Sequence, residues 1–304
     1  MAGSRLDRLY AQLLADHPYG WALFKKATTY DIQPGNCGYF DTEGDWHTIV
    51  DLTSNPEDLV RDGWKAPGTR IGDNGATPDQ MEWGPKYSNS VTSRRIGGSV
   101  GSSLAVAPVE VSATVLFEGG SSESAVLVAE NPVYRRRVGD ENMAMQWMKD
   151  NTREMLRQHR ETIKTHGIWI VTKTYATRRC AVAIMTSRTS SVELGLTANA
   201  QGLLTLGPTN LWFKSNGSSC VEIHQGRDDE EAIVVFMSGI YFSQKLIGST
   251  LKPLRDPKKQ ASALFRGGRE KQSSSEYSAN GDGVEEENIV IRAEFFPPQP
   301  RTDC

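Results

Sequence analysis

Apolar residues recur at helical spacing in two segments of the chain. In residues 4–15 the leucines share one stripe: Leu6, Leu9, Leu13 and Leu14. Ser4 and Asp7 form a capping-box pattern at the start of that segment. In residues 140–166, which end before Gly167, apolar side chains again lie on or near one stripe: Met145, Met148, Met155, Leu156 and Ile163. We therefore predict an amphipathic helix in each segment.

Two longer regions alternate between apolar and polar or small residues, which is typical of half-buried strands. In the first, five apolar residues share one parity: Val109, Val111, Ala113, Val115 and Phe117. A Gly-Gly-Ser-Ser turn separates them from the apolar run 124–129. We expect two or three antiparallel strands over residues 94–129. In the second region, residues 177–206, apolar positions lie on either side of the Ser/Thr-rich stretch 186–191, and we expect a second hairpin there.

Shorter β-prone runs complete the main part of the chain. We predict a hairpin over residues 34–52 and single strands over 167–176, 211–223 and 232–242. Residues 53–87 are rich in Gly, Pro, Asp and Asn with little periodicity, and we interpret them as a long surface connection. The predicted fold class is α+β, with a twisted antiparallel sheet and flanking helices.

The last part of the chain has a different composition. Residues 252–288 are rich in Pro, Lys, Ser, Gly and Glu, which indicates a flexible linker. From Glu270 to the end there are eight acidic and three basic residues. A β-prone apolar cluster returns at 288–298, and it either docks onto the preceding domain or forms an extra edge strand of it. We therefore divide the chain into a body, residues 1–251, and a short flexible C-terminal tail, residues 252–304.

Composition and motif spacing exclude several classes of function. The chain has 304 residues and a formal net charge of −3, so it is not a nucleic-acid-binding polycation, although residues 133–179 hold eleven basic and five acidic residues. The four cysteines have no paired spacing and the five histidines are scattered, so no metal-ligand pattern is present. The first apolar stretch carries charges and does not read as a secretory signal, and no apolar run has the length of a membrane-spanning helix. We expect a cytoplasmic protein without metal, cofactor or nucleic-acid partner.

The chain matches one catalytic motif, but the residues around it do not fit the local structure that the motif needs. Residues 97–101 read Gly-Gly-Ser-Val-Gly, which fits the G-x-S-x-G pattern of serine hydrolases. That motif needs a strand, a strained turn and then a helix, whereas the residues after Ser99 alternate like a strand. We therefore predict that the protein is not an enzyme and has no catalytic residue.

The order of these segments resembles the pore-forming domain of gasdermins, and most closely the fungal gasdermin-like proteins of heterokaryon incompatibility. The resemblance covers roughly residues 18–250 and rests on the runs PYGWALF, PGNCGYFDTEGDW, IVDLT, HGIWIVTKTYA and LWFK…IVVFMSGIYF, with the hairpin at 94–129 and the helix at 141–166 between them. It implies a pore-forming effector of regulated cell death. Such a protein rests in the cytoplasm, binds acidic phospholipids at the cell membrane, forms a homo-oligomer and inserts two β-hairpins per subunit.

The resemblance also assigns roles to residues by their position. The candidate lipid-binding residues are basic side chains near the first helix and in loops: Arg5, Arg8, Lys25, Lys26, Arg135, Arg136 and Arg137. Each Lys or Arg near an anionic membrane contributes about 1 kcal/mol, so together they suffice for salt-sensitive docking. The candidate membrane-inserting residues are apolar positions of the two hairpins: Val109, Val111, Val115, Val182, Ile184, Val192, Leu194 and Leu196.

The resemblance leaves two routes of activation open. Some fungal relatives carry a short tail that a partner protease removes, and others respond to an incompatible allelic variant. The acidic tail of this chain suits the first route, as an autoinhibitory segment that a subtilisin-like serine protease cuts at Leu264 and Phe265. The alternative function is that of a soluble protein-recognition module that does not insert in membranes.

Overall fold

The computed structural model describes residues 2–68, 77–100, 111–139, 141–198, 202–206, 213–227, 231–245, 252–253 and 290–298. In these ranges the helices are α1 (Ala2–Leu13), α2 (Pro56–Arg61) and α3 (Glu141–Thr165). The earlier strands are β1 (Trp21–Ala22), β2 (Asn36–Phe40), β3 (Trp46–Asp51), β4 (Asp79–Met81), β5 (Lys86–Tyr87), β6 (Val91–Val100), β7 (Val111–Gly119), β8 (Ser124–Ala129) and β9 (Val133–Arg137). The later strands are β10 (Ile168–Thr177), β11 (Arg179–Met185), β12 (Ser191–Ala198), β13 (Leu204–Thr205), β14 (Phe213–Asn216), β15 (Ser219–Gln225), β16 (Ile233–Lys245), β17 (Lys252–Pro253) and β18 (Val290–Phe296).

The protein contains both α and β structure and is dominated by antiparallel sheets, which confirms the coarse fold class. Its central sheet has nine strands in the order β17-β18-β16-β10-β2-β3, with β1 beside β16, β9 beside β10 and β4 beside β9. Strand β10 pairs with β16 along its whole length, from Ile168 opposite Phe242 to Thr177 opposite Ile233. Because β10 is buried on both faces, its apolar residues do not alternate with polar ones, although Thr172, Lys173 and Thr174 interrupt them.

Helix α3 covers one face of the central sheet. Trp147, Met148 and Met155 are buried against sheet residues such as Ile170 and Ile240. The methionines predicted to share a stripe therefore meet the apolar face of the sheet, as the helical spacing requires. The predicted end of the helix is also confirmed. Gly167 follows it with a φ of +71°, where a Cβ atom would collide with the ring of Tyr241.

Two smaller sheets pack face to face as a sandwich. One has the order β15-β11-β8-β5, and the other has the order β13-β12-β7-β6 with β14 beside β12. The first sheet contributes these buried side chains to the shared core: Val126, Val128, Ala181, Ala183 and Met185. The second sheet contributes Val115, Phe117, Val192, Leu194 and Leu196. Helix α1 covers the other face of the β15-β11-β8-β5 sheet, where Tyr10 and Leu14 pack against Leu127, Val182 and Ile184.

The second predicted hairpin is wrong for this fold, because β11 and β12 do not pair with each other. Strand β11 pairs with β8 and β15, whereas β12 pairs with β7, β13 and β14. The turn at 186–190 carries the chain from one sheet of the sandwich to the other. Alternation shows that a strand has two different faces, but it does not show which sheet the strand joins. The first region behaves similarly: β6 and β7 form an antiparallel pair as expected, and β8 joins the other sheet.

Residues 53–87 are not merely a surface connection. They contain α2, β4 and β5, and both of their tryptophans, Trp64 and Trp83, are buried. The ring of Trp64 lies 5.8 Å from that of Trp147 in α3. Single aromatic anchors hold this segment, and a single anchor leaves no periodic pattern in the sequence. The predicted strand over 211–223 is likewise divided, since β14 and β15 belong to different sheets.

Candidate functional site

Strand β18, which we call the tail strand, is built into the central sheet. It pairs antiparallel with β16 from Val290 opposite Lys245 to Phe296 opposite Gly239, and the two residues of β17 pair with its other edge. Ile291 and Ala293 are buried in the core between α3 and the sheet. The apolar cluster predicted either to dock or to form an edge strand is therefore a strand of the same sheet as the body.

The other face of the tail strand contributes an aromatic side chain to a second cluster. The ring of Phe296 lies 4.9 Å from that of Trp169 on β10 and 5.5 Å from that of Trp21 on β1. Glu294, opposite Tyr241, is 2% exposed. The tail strand is thus held by main-chain hydrogen bonds and by side chains on both of its faces.

The predicted cleavage residues Leu264 and Phe265 lie outside the described residues. Both precede the tail strand in sequence, so a cut between them breaks the covalent link from the body to that strand. It leaves the pairing with β16 and the buried contacts of Ile291 and Phe296 in place. Cleavage and departure of the tail strand are therefore separate steps.

The predicted membrane-inserting residues lie on two different buried faces. Val115, Val192, Leu194 and Leu196 face the core of the sandwich. Val182 and Ile184 face away from it and lie under α1. Val109 lies outside the described residues, and Val111 belongs to β7. In this conformation the two sets are separated by the thickness of one sheet.

Strands β7 and β12 lie side by side, and each has one apolar face and one mainly polar face. Val115 stands opposite Leu194 on the face that lines the core. On the other face most side chains are polar and partly exposed: Thr114, Glu118, Glu193 and Thr197. Leu116 is the exception on that face, since it is apolar and 7% exposed and stands opposite Glu193. The pair is therefore a two-stranded amphipathic unit with matched faces.

The basic residues predicted near the first helix take different positions. Arg8 is exposed on α1, and Arg5 belongs to the same helix. Lys25 forms an ion pair with Asp45, with Nζ 2.7 Å from Oδ1. Lys26 is exposed and donates from Nζ to the carbonyl oxygen of Gln225 at 2.8 Å.

The three predicted arginines of β9 form a separate group. Arg135 is held by Asp79, with Nη2 2.6 Å from Oδ2. Arg136 and Arg137 are exposed, and Arg137 stands opposite Lys173 of β10. Lys173 forms an ion pair with Glu141, with Nζ 4.0 Å from Oε1, so the exposed positive charge of this corner comes from Arg136 and Arg137.

A cleft that the sequence did not predict lies where α1 meets the central sheet. We call it the α1 cleft, and its volume is about 160 Å³. Its walls come from α1, β1, the turn between β2 and β3, the end of α3, and strands β10, β16 and β18. Asp7 of α1 lies in this cleft and accepts a hydrogen bond from the backbone N–H of Lys25 at 3.1 Å. Burial raises the pKa of Asp7 from 3.8 to about 6, although that hydrogen bond and the Lys25 charge oppose the shift.

Replacing Asp7 with Asn is expected to stabilise the protein at pH 7 and above by on the order of 1 kcal/mol, a value reduced for partial solvent screening. A carboxyl group whose pKa is raised on folding weakens the fold once it ionises, so the stability of the parent falls as pH rises from about 4 through 6. Lys25 moderates the effect, whereas Asp45 and Glu222 add to it. Urea unfolding at pH 4, 5, 6, 7 and 8 measures the difference, which should vanish at pH 4.

The matched control is Glu43→Gln, in the exposed turn beside Asp7. Its unfolding profile should run parallel to that of the parent protein over the same pH range. A constant difference between Asp7→Asn and the parent from pH 4 to pH 8 would contradict the assigned role of Asp7.

No protein-family model matches the chain, and no curated protein is significantly similar to it. Among the described residues, no helix combines the length and apolar character needed to cross a membrane. The function must therefore be argued from the strands, the tail strand and the charged surfaces described above.

Proposed function

We propose that this protein is a gasdermin-like pore-forming effector of regulated cell death, as in fungal heterokaryon incompatibility. Its body binds acidic phospholipids, assembles into a homo-oligomer and inserts two β-hairpins per subunit into the cell membrane. The observation that carries the proposal is the amphipathic pair β7 and β12, in which every apolar side chain described on one face is matched across the pair. The finer fold assignment, to the gasdermin pore-forming domain, is part of the same proposal.

Strand length supports this proposal. Strands β6 and β7 have ten and nine residues, and β11 and β12 have seven and eight. A strand that crosses the hydrocarbon core needs about 9–11 residues with one apolar face. Strands β6 and β7 therefore already have this length, whereas β11 and β12, which would have to pair on insertion, need about one to four more residues.

The arrangement of the sandwich also supports it. The turns at 120–123 and 186–190 each carry the chain from one sheet to the other, so that β7 lies beside β12 in one sheet and β8 beside β11 in the other. The two segments proposed to insert are thus already neighbours. Once α1 leaves and the sandwich opens, they move together.

The tail strand acts as the inhibitory element in this proposal. It completes the β16 edge of the central sheet and contributes to two buried clusters. Activation by a serine protease cuts the chain before the tail strand, at Leu264 and Phe265, and the tail strand then dissociates. The exposed Arg136 and Arg137, with Arg8 and Lys26, supply charge for acidic head groups.

Dye release from vesicles tests this function. We expect a chain that ends at Phe265, and so lacks the tail strand, to release dye from vesicles that contain phosphatidylserine, while the full-length chain does not. Vesicles of phosphatidylcholine alone serve as the matched control and should remain intact, because the attraction of the basic residues is electrostatic. Dye release by both chains would support pore formation but contradict the inhibitory role of the tail. If a folded, truncated chain released no dye, that result would contradict pore formation and favour the alternative of a protein-recognition module.

A further inference from the structure

Part of the wall of the α1 cleft consists of aromatic rings that meet at steep angles. The ring planes of Trp21 and Phe296 lie at 86° to each other, those of Trp169 and Phe296 at 52°, and those of Trp169 and Tyr241 at 45°. All four side chains line the cleft, together with Phe40. Aromatic rings at the wall of a site attract a quaternary ammonium group through their π faces.

The polar groups at one side of the cleft are anionic. Asp7 and Asp41 both line it. Burial opposes the ionisation of Asp41, but a hydrogen bond with His47 and the backbone N–H groups of Asp45 and Glu43 lower the pKa of Asp41 to about 2. Both carboxyl groups are therefore ionised above about pH 6.

The end of helix α3 adds to this negative potential. Thr165 and His166, at its C-terminus, line the cleft as well. The C-terminal end of a helix carries a partial negative charge and favours a cation.

The two basic side chains of the cleft offset this potential only in part. The ammonium group of Lys25 acts on Asp7 and Asp41, but it is paired with Asp45, which is outside the cleft, and donates to the carbonyl oxygen of Glu43 at 3.2 Å. One ammonium group is thus shared among three carboxylates. Arg8 is exposed, and its charge acts on Tyr241, where it partly offsets the rise in pKa that burial causes.

We propose that the α1 cleft binds a small quaternary ammonium cation of the choline class, seated on the aromatic rings beside Asp7 and Asp41. A cavity of about 150 Å³ accepts a ligand the size of benzene, so a cleft of about 160 Å³ suits a trimethylammonium head. Because Phe296 is one of the walls, the ligand binds the form in which the tail strand is in place. Binding then stabilises that form in proportion to ligand saturation. This inference does not depend on pore formation.

Fluorescence titration of the full-length protein with choline chloride tests the proposal, since Trp21 and Trp169 both lie in the cleft. We expect a saturable change, and binding about tenfold weaker for 3,3-dimethylbutan-1-ol, the neutral isostere of choline. Sodium chloride at equal ionic strength is the blank. Equal binding of the isostere, or a change that does not saturate, would overturn the proposal.

Variants separate the ligand site from general stability. Asp7→Asn should weaken choline binding about tenfold while the protein stays folded. Arg8→Gln should leave binding unchanged or tighten it. Phe296→Ala should abolish the fluorescence change, whereas Phe295→Ala, the adjacent residue that packs on the α3 side, should retain it. If folded Asp7→Asn bound choline as tightly as the parent protein does, that result would contradict the proposed position of the ammonium group beside Asp7.

Two further measurements complete the test. Saturating choline should slow hydrogen exchange of the β16 and β18 amides in the parent protein but not in Phe296→Ala. Titration with phosphatidylcholine vesicles distinguishes the source of the group. The same fluorescence change with vesicles identifies a lipid head group, and a change with choline alone identifies a soluble cation. A titration in which neither produces a change overturns the site.

Discussion

A disulfide bond between positions 243 and 292 is expected to abolish dye release by the cut protein until a reductant is added. Ser243 of β16 stands directly opposite Arg292 of the tail strand. Opposite residues of an antiparallel pair have Cα atoms about 4.5–5.5 Å apart, which lies within the range that a disulfide bond spans. The variant Ser243→Cys/Arg292→Cys also carries a site for a sequence-specific protease, inserted after Phe265. The protease cuts this variant while the disulfide bond is intact. Dye release should then stay at the level of the uncut protein, and it should rise at least about tenfold once dithiothreitol reduces the bond and frees the tail strand.

The native thiols must first be removed from this experiment. Cys37 and Cys180 are buried, whereas Cys220 is partly exposed, so Cys220→Ser and Cys304→Ser form the background. Each single variant, Ser243→Cys or Arg292→Cys, is the matched control and should release dye after cutting, with or without reductant. Full release by oxidised, cut protein with a verified disulfide bond would show that the tail strand need not leave.

The second large effect is expected from Ile291→Asp, which should make the uncut chain release dye. Ile291 is 2% exposed in the core between α3 and the central sheet. A carboxylate placed there without a partner costs on the order of 4 kcal/mol. The strand avoids this cost by leaving the sheet, and the body keeps its other contacts. Dye release from phosphatidylserine vesicles measures the function, and hydrogen exchange of the β16 amides reports the departure of the strand.

The conservative control for that variant is Ile291→Val. Removal of one methylene group costs about 1 kcal/mol, so the tail strand should stay paired and the vesicles should stay sealed. The contrary result is a folded Ile291→Asp protein whose β16 amides exchange rapidly with solvent while the vesicles remain intact. It would show that departure of the tail strand is not enough to activate the protein.

The elements that could be predicted from the sequence are those with a repeated local pattern. Helix α3 begins and ends within one residue of its predicted limits, because its stripe of methionines is long and Gly167 follows it. The hairpin of β2 and β3 was predicted for a similar reason, since a Gly-containing turn separates two short apolar runs. The positions of strands β11 and β12 in the chain were predicted correctly, but the two strands were wrongly predicted to pair with each other. Their true partners depend on packing between distant segments, which alternation does not encode.

The α1 cleft had no local signal that sequence reasoning could use. Asp7, Trp21, Trp169 and Phe296 are far apart in the chain and meet only because α1 and the tail strand both reach the central sheet. Asp7 reads as part of a helix-capping pattern, and the two tryptophans read as ordinary strand residues. The tail strand was recognised as a β-prone cluster, but its partner β16 could be found only from the fold.

The position of the tail strand in the chain has a consequence during synthesis. Strand β16 ends at Lys245, and its neighbour in the sheet begins only at Val290. At about 5–20 residues per second, the ribosome delivers the missing neighbour roughly 2 to 10 seconds after β16 has emerged. During that interval the nascent chain presents an open strand edge to any chain beside it, including a copy on the same messenger RNA.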